Sequence, residues 1–157
     1  MKHWLAALAL LPLSASAAPT SEDIAAYRAL AALDLRLATI GYRLASANAA
    51  FCKDQQHEAG WVIHDIAQYP DRETAQAAFG FARQVAVSAV VPGSRADQAG
   101  IEPGDAFVAV RGRKVDEIET RKKSSYSRVE EVKKLLADAW RTDPPADIQM
   151  QRGANLY

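Results

Sequence analysis

The chain has 157 residues, with 19 Lys and Arg against 19 Asp and Glu, so its formal net charge at pH 7 is zero. A balanced charge gives no electrostatic reason to expect binding to nucleic acid or to an anionic membrane surface. The length fits one domain with an appendage. Cys52 is the single cysteine, so no disulfide can form within the chain. Beside Phe51 we expect Cys52 to be buried, with pairing to another chain as the alternative.

Residues 1–17 have the pattern of a secretory signal peptide. Lys2 supplies the positive start, residues 5–13 are apolar, and Ala15-Ser16-Ala17 offers small residues for cleavage. The apolar run is shorter than the roughly 20 residues of a membrane-spanning helix. No cysteine follows the cleavage region to carry a lipid. We therefore expect export to the periplasm, or secretion, without a membrane anchor; an ordinary buried helix is the alternative for this segment.

Residues 18–57 are predicted to form a helical appendage. Residues 20–23 pair hydroxyl side chains with following acids, which is typical of a helix start. Apolar residues then recur every three to four positions to about residue 50, which predicts one long amphipathic helix, or two broken near Gly41. We expect this stripe to pack against a core or an interface. Its members are Ile24, Tyr27, Leu30, Leu33, Leu35, Leu37, Ile40 and Leu44.

The next part of the chain reads as short strands separated by turns. Residues 61–69 alternate in polarity and predict a strand, and residues 71–81 predict a short helical turn or loop. Two apolar runs over residues 84–91 and 106–110 have the length and composition of buried strands. Residues 116–126 are charged and lack an apolar period, so we expect an exposed loop there.

The last part of the chain predicts a helix and a sheet edge. Ser127-Arg128-Val129-Glu130 is a capping-box pattern, and the apolar period continues to about Trp140. A strand over residues 148–151 leads to a return strand, of which residues 154–157 are only the beginning. We expect self-association through this unfinished sheet edge, because unpaired strand edges template pairing.

The most informative segment is 85–115, VAVSAVVPGSRADQAGIEPGDAFVAVRGRKV. Its Pro-Gly dipeptides mark tight turns between short apolar strands. The string PGSxAxxAGIxPGDxFVAVxGxxV resembles the core of the PDZ domain, in the version found in bacterial envelope proteases. The resemblance covers residues 58–157 and implies an α+β fold. The expected architecture is a small, partly open β-barrel or sandwich with a flanking helix, preceded by the long N-terminal helix.

The resemblance implies a peptide-binding groove. In the family, an early edge strand accepts an extended peptide by β-augmentation, the loop before it holds the terminal carboxylate, and a later helix forms the other wall. The expected partners are therefore peptides, protein C-termini or extended segments. Glu58 beside an anion site departs from the family pattern. The implied peptide-binding residues are Ala59, Gly60, Trp61, Val62, Ile63 and His64 from the loop and strand, and Val129, Lys133 and Leu136 from the helix, with Val132, Leu135 and Ala139 facing the core.

Candidate catalytic residues do not form a recognisable set. The run from His57 to Trp61 begins like the HExxH motif of zinc metallopeptidases, but Trp61 stands where the second histidine would be. Ser94 follows a glycine without a GxSxG pattern, so we expect it to cap the next helical turn. His64 and Asp65 are strand neighbours on opposite faces and cannot act together. We expect no catalytic activity, no metal and no cofactor.

Three hypotheses remain open. The first is a non-catalytic PDZ module of the cell envelope with a helical appendage. The second is the amino-terminal part of an exported zinc metallopeptidase without its catalytic domain, because residues 41–52 and 61–69 look most like the front of such enzymes. The third is a helical interaction protein whose groove is blocked by the Ala-rich helix. An in-frame HExxH downstream of Tyr157 would distinguish the first two.

Overall fold

The computed structural model of the chain describes residues 18–53, 58–119, 124–141 and 147–157. The predicted signal peptide and His57 lie outside these ranges. Four α-helices are described: α1 (Ser21–Asn48), α2 (Arg72–Phe79), α3 (Arg95–Gln98) and α4 (Ser127–Trp140). The strands are β1 (Trp61–Asp65), β2 (Val85–Val90), β3 (Ala106–Val110), β4 (Arg113–Lys114), β5 (Ile148–Arg152) and β6 (Asn155–Leu156). Within the described ranges, no helix has both the length and the apolar character needed to cross a membrane.

The strands form one open antiparallel sheet on the described part of the chain. Its order is β1-β2-β3-β5-β6, and β4 pairs with β3 beside this path. The predicted α+β class and the long N-terminal helix are confirmed. The predicted strand 61–69 is shorter, because the Asp65 side chain accepts a hydrogen bond from the Ala67 amide at 2.8 Å and caps a 3₁₀ turn, Ile66–Gln68. β1 has a single strand neighbour and is therefore an edge strand.

Apolar side chains pack on both faces of the sheet. Val85 and Val87 of β2 belong to the main core, which also contains buried residues of β3 and α4. Ala86 lies between them in sequence and belongs to a second cluster with Phe81. Because successive side chains of a strand point to opposite faces, the two clusters lie on opposite sides of the sheet.

The long helix α1 packs on the side of the second cluster. The Tyr27 ring lies 5.2 Å from the Tyr69 ring and 6.3 Å from the Phe79 ring, centroid to centroid. Arg28 donates from Nε to the carbonyl oxygen of Ala78 at 3.1 Å. The helix continues through Gly41 without a break, and none of its residues is fully buried. The domain therefore covers only part of the surface of α1.

The beginning of α4 differs from the predicted capping box. Ser127 is the first helical residue, and its hydroxyl donates to the Ser124 carbonyl oxygen at 3.0 Å instead of capping the helix. Arg128 is buried and donates from Nη1 to Asp65 Oδ2 at 2.8 Å and from Nε to the Ile118 carbonyl oxygen at 2.8 Å. These bonds fix the start of α4 to the end of β1.

One expectation about exposure is wrong, and another is wrong at a single residue. Cys52 is exposed rather than buried, because it follows a 3₁₀ turn, Ala49–Phe51, that contains no buried residue. The predicted exposed loop over residues 116–126 is exposed at Asp116, Glu117, Glu119 and Tyr126, and is wrong only at Ile118, which is buried; residues 120–123 lie outside the described ranges. Ile118 is an apolar residue in a charged segment, and it packs into the main core.

Candidate peptide-binding site

An apolar cavity of about 430 Å³ lies beside the loop that precedes β1. Its walls come from this loop, α3, the end of α4 and β5, and Tyr157 also lines it. A volume in this range suits a small molecule or a peptide side chain. The apolar lining residues are Ala59, Trp61, Ala96, Ala99, Ile101, Trp140, Ile148 and Met150.

Two tryptophans form a fixed wall of the cavity. The Trp61 ring meets the buried Phe107 ring edge-on, with centroids 5.3 Å apart and an interplanar angle of 88°. The Trp140 ring lies 5.9 Å from the Trp61 ring. Edge-to-face and tilted ring pairs at these distances are favourable. The first residue of β1 and the last residue of α4 are thus joined at the cavity.

The loop before β1 is held by its carbonyl groups. The Ala59 oxygen accepts from the Ala96 amide at 2.9 Å, and the Gly60 oxygen accepts from the Val91 amide at 2.7 Å. Both loop residues are buried. No acceptor for the amide N–H of Ala59 or Gly60 occurs among the residues that the structure describes. The loop therefore has two amide donors without an acceptor in the described ranges; Ala59 lines the apolar cavity, whereas Gly60 does not.

Gly60 is required by a close approach as well as by its backbone conformation. Its φ is +83°, and a Cβ atom there would lie 2.2 Å from Cβ of Ser94. Ser94 is fully buried and caps α3, since its Oγ accepts from the Asp97 amide at 3.3 Å. The predicted capping role of Ser94 is confirmed. The glycine thus serves the packing of the loop on α3.

The polar lining of the cavity includes one cation and one anion. Arg95 and Glu58 are both exposed and both line the cavity. Neither side chain forms an ion pair with another residue in the described ranges. A guanidinium group that has no carboxylate partner is suited to bind the carboxylate of a ligand.

The expected division of α4 into a groove face and a core face is corrected. Val129 and Leu136 were expected on the groove, but both are buried in the main core together with Val132 and Ala139. Leu135, expected in the core, is only partly buried. Lys133 is exposed. Ile63 of β1 is buried against the same cluster, so the contact between β1 and α4 is filled by side chains of the protein itself.

His64 and Val62 lie on β1 but do not line the apolar cavity. His64 Nδ1 is hydrogen-bonded to the Tyr69 hydroxyl, and its Nε2 lies 3.9 Å from Asp34 Oδ2 of α1. Burial lowers the pKa of His64; the Asp34 carboxylate opposes this shift, and the Lys133 charge adds to it. The imidazole is therefore neutral at pH 7. The Val62 carbonyl oxygen accepts from the Ser88 hydroxyl at 3.3 Å.

The structure thus brings together only part of the predicted site. Ala59 and Trp61 line the apolar cavity, and Gly60 shapes the loop above Ser94. The sequence analysis missed Arg95, Ile101 and Trp140, although Trp140 ends the helix that was expected to form a groove wall.

Metal binding has no support from the geometry of the described ranges. No three His, Cys, Asp or Glu side chains within them lie close enough together to hold a metal ion. His57, which begins the HExxH-like run, lies outside these ranges.

Scans of this chain against protein-family models, curated proteins and solved structures found no match. The PDZ resemblance therefore depends on the sequence string alone, because these comparisons supplied no relative that supports it.

Proposed function

We propose that the protein is a non-catalytic peptide-binding module of the PDZ type, exported to the cell envelope, and that it binds C-termini or extended segments of partner proteins. The observation that supports this most is the apolar cavity beside the loop that precedes an edge strand. Ala59 of this loop and Trp61, the first residue of β1, both line the cavity, so a ligand in the cavity would meet the loop and the start of the strand.

Binding would begin with strand addition. Among the described residues β1 pairs with a strand on one side only. An extended peptide would add one more strand on its other side through main-chain hydrogen bonds, next to the side chains that fill the contact between β1 and α4. Its last side chain would enter the cavity against Trp61 and Trp140. Burial of a Leu or Phe side chain contributes about 1.5–3 kcal/mol. Together with the main-chain bonds, this predicts affinities in the micromolar range, about −8 kcal/mol.

Recognition of the terminal carboxylate would use Arg95 and the amides of Ala59 and Gly60. Charge-assisted hydrogen bonds from a guanidinium or an amide to a carboxylate are about twice as strong as neutral ones. Glu58 lies at the same cavity and would repel peptides with further acidic groups near their ends. The preferred ligand is therefore a free carboxyl terminus with an apolar last residue and no acidic neighbour.

The cavity is tested with a substitution that fills it from its exposed side. Ala99→Phe places a large ring at an exposed lining position, and the adjacent exposed Gln98, which does not line the cavity, gives the matched control Gln98→Phe. Fluorescence anisotropy with labelled peptides ending in Leu or Phe measures affinity. We expect Ala99→Phe to weaken binding about tenfold or more, which corresponds to 1.4 kcal/mol, and Gln98→Phe to leave it unchanged. Equal losses of affinity in both variants, or no loss in either, would exclude the cavity as the peptide-binding site.

Carboxylate recognition is tested with amidated peptides and Arg95→Gln. Amidation of the peptide removes the charge that Arg95 would meet, so it should weaken binding to the wild-type protein about tenfold. The Arg95→Gln variant should lose most of this preference for the free carboxylate. If the wild-type protein bound free and amidated peptides equally, it would not recognise the terminal carboxylate, and its ligands would be internal segments of the partner.

A further inference from the structure

α1 carries a row of large apolar side chains that the domain does not cover. Leu30, Leu33, Leu37, Ile40 and Leu44 are between 53% and 72% exposed. The helix meets the domain through other positions, including Ile24, Tyr27, Leu35 and Tyr42, all of which are partly buried. α1 therefore has two apolar stripes, and one of them has no partner among the described residues.

The exposed stripe has the spacing of a coiled-coil seam. Its members follow one another at intervals of three, four, three and four residues, which are the a and d positions of a heptad. Phe51, 85% exposed, lies seven residues after Leu44 in the 3₁₀ turn that follows the helix. A seam of this period fits a second helix with the same period, because each side chain enters a space between four side chains of the partner. We call these six residues the α1 seam.

The area of the α1 seam agrees with the requirement of a dimer. Complete burial of the exposed surface of these six side chains would remove at most roughly 700 Å² per copy, near the roughly 800 Å² that each partner of a standard interface buries. The other side of α1 is packed on the domain, so the helix is already formed before pairing. A short seam is then sufficient, since no helix nucleation is needed. We propose that α1 pairs with α1 of a second copy of this chain in a parallel, two-stranded coiled coil.

The charges beside the seam favour the parallel orientation. Arg36 and Arg43 occupy g positions, while Asp34, Gly41 and Asn48 occupy e positions; Asp34 faces the uncharged g residue Ala29 in a parallel pair. In a parallel pair, each g residue faces the e residue five positions further along the partner. Arg36 then faces Gly41 and Arg43 faces Asn48, so no like charges meet. In an antiparallel pair, the g positions face each other and all four arginines lie along one side.

Cys52 reports the orientation because it follows the seam directly and is exposed. In the parallel pair, the two Cys52 residues lie at the same end and can form an intermolecular disulfide. In an antiparallel pair the a positions face d positions, so the pair centres between Leu37 and Ile40, and a helix rise of 1.5 Å per residue would separate the two Cys52 residues by roughly 40 Å.

The test compares two lysine substitutions on α1 of the purified chain. Leu37→Lys places a charge in the seam, and Ala32→Lys places the same charge at an exposed c position. Sedimentation velocity should give a dimer for the wild type and Ala32→Lys, and a dissociation constant about a hundredfold higher for Leu37→Lys, because both copies lose a buried leucine. Circular dichroism should show equal helix content in all three. Mild oxidation should cross-link the wild type but not Cys52→Ser.

Each contrary result is decisive. A wild-type chain that stays monomeric at 100 µM excludes the pairing, as does a dimer that Leu37→Lys does not weaken. A dimer that Leu37→Lys weakens but oxidation does not cross-link excludes the parallel orientation. A monomer that binds phosphatidylglycerol vesicles and loses this binding in Leu37→Lys would assign the α1 seam to a membrane surface instead.

Discussion

The ion pair between Asp65 and Arg128 gives the sharpest prediction for stability. The Asp65 side chain is fully buried and that of Arg128 is 9% exposed, and Nη1 lies 2.8 Å from Oδ2. The pair joins the end of β1 to the start of α4. Arg128→Met keeps most of the volume of the side chain but leaves a buried carboxylate without its cation. Removal of one member of a buried pair costs about 3–5 kcal/mol.

The pKa of Asp65 determines how the stability deficit of Arg128→Met changes with pH. Burial raises the pKa of Asp65 above the ordinary 3.8, although the Ala67 amide and the Arg128 charge oppose the shift. The folded protein therefore holds this proton more tightly than the unfolded chain, so ionisation of Asp65 reduces stability as the pH rises from about 3.8 through the raised pKa. Without Arg128 the pKa rises further. The deficit of Arg128→Met should then be larger at pH 7 than at pH 4.5.

The assay is urea unfolding followed by circular dichroism at both pH values. Arg113→Met is the matched control, because Arg113 forms an exposed ion pair with Glu131 at 2.6 Å, and exposed pairs contribute at most about 1 kcal/mol. The double variant Asp65→Asn, Arg128→Met should recover part of the loss, since it removes the unpaired charge. A deficit for Arg128→Met below about 1 kcal/mol, or one that does not change with pH, would refute the reasoning.

Two single contacts, and the lack of a recognisable catalytic set in the sequence, lead to three further predictions. Gly60→Ala should lower the free energy of unfolding by about 3 kcal/mol or more, because the new Cβ would meet Ser94. The control is Gly112→Ala, where φ is also positive, +74°, but the space around the new Cβ is open. This variant should cost only about 1–2 kcal/mol. Burial pushes the pKa of Asp105 upward, but bonds from Arg152 and the Glu102 amide outweigh it and lower the pKa. The stability that this lowered pKa contributes is lost as the pH falls below about 3.8, so Arg152→Met should destabilise more at pH 6 than at pH 3 in thermal melts, and equal losses would contradict this. The protein should hydrolyse neither casein nor peptides; hydrolysis abolished by Ser94→Ala would contradict it.

The features that the sequence predicted correctly are local. Thr20 caps α1, Ser94 caps α3, and β2 and β3 lie close to where the apolar runs predicted them. α4 has the predicted bounds, although its capping differs. Caps, turns and short apolar runs are set by side chains within a few positions of one another, so a single sequence carries them.

The features that it missed depend on contacts between distant segments. A helical period marks which residues of α4 are apolar, but the neighbours in space decide which are buried, and Val129 and Leu136 proved to be core residues. The pairing of Asp65 with Arg128 spans 63 positions and leaves no pattern in the sequence.

The sequence by itself determined the helices, the two central strands, the turns and the resemblance that suggests a peptide-binding module. Only the tertiary structure decided which side of α1 packs on the domain, and so left the α1 seam exposed. The same holds for the apolar cavity, whose lining extends from Glu58 to Tyr157. A period of three to four residues reveals that a helix has an apolar stripe, but the burial of a side chain depends on the rest of the fold.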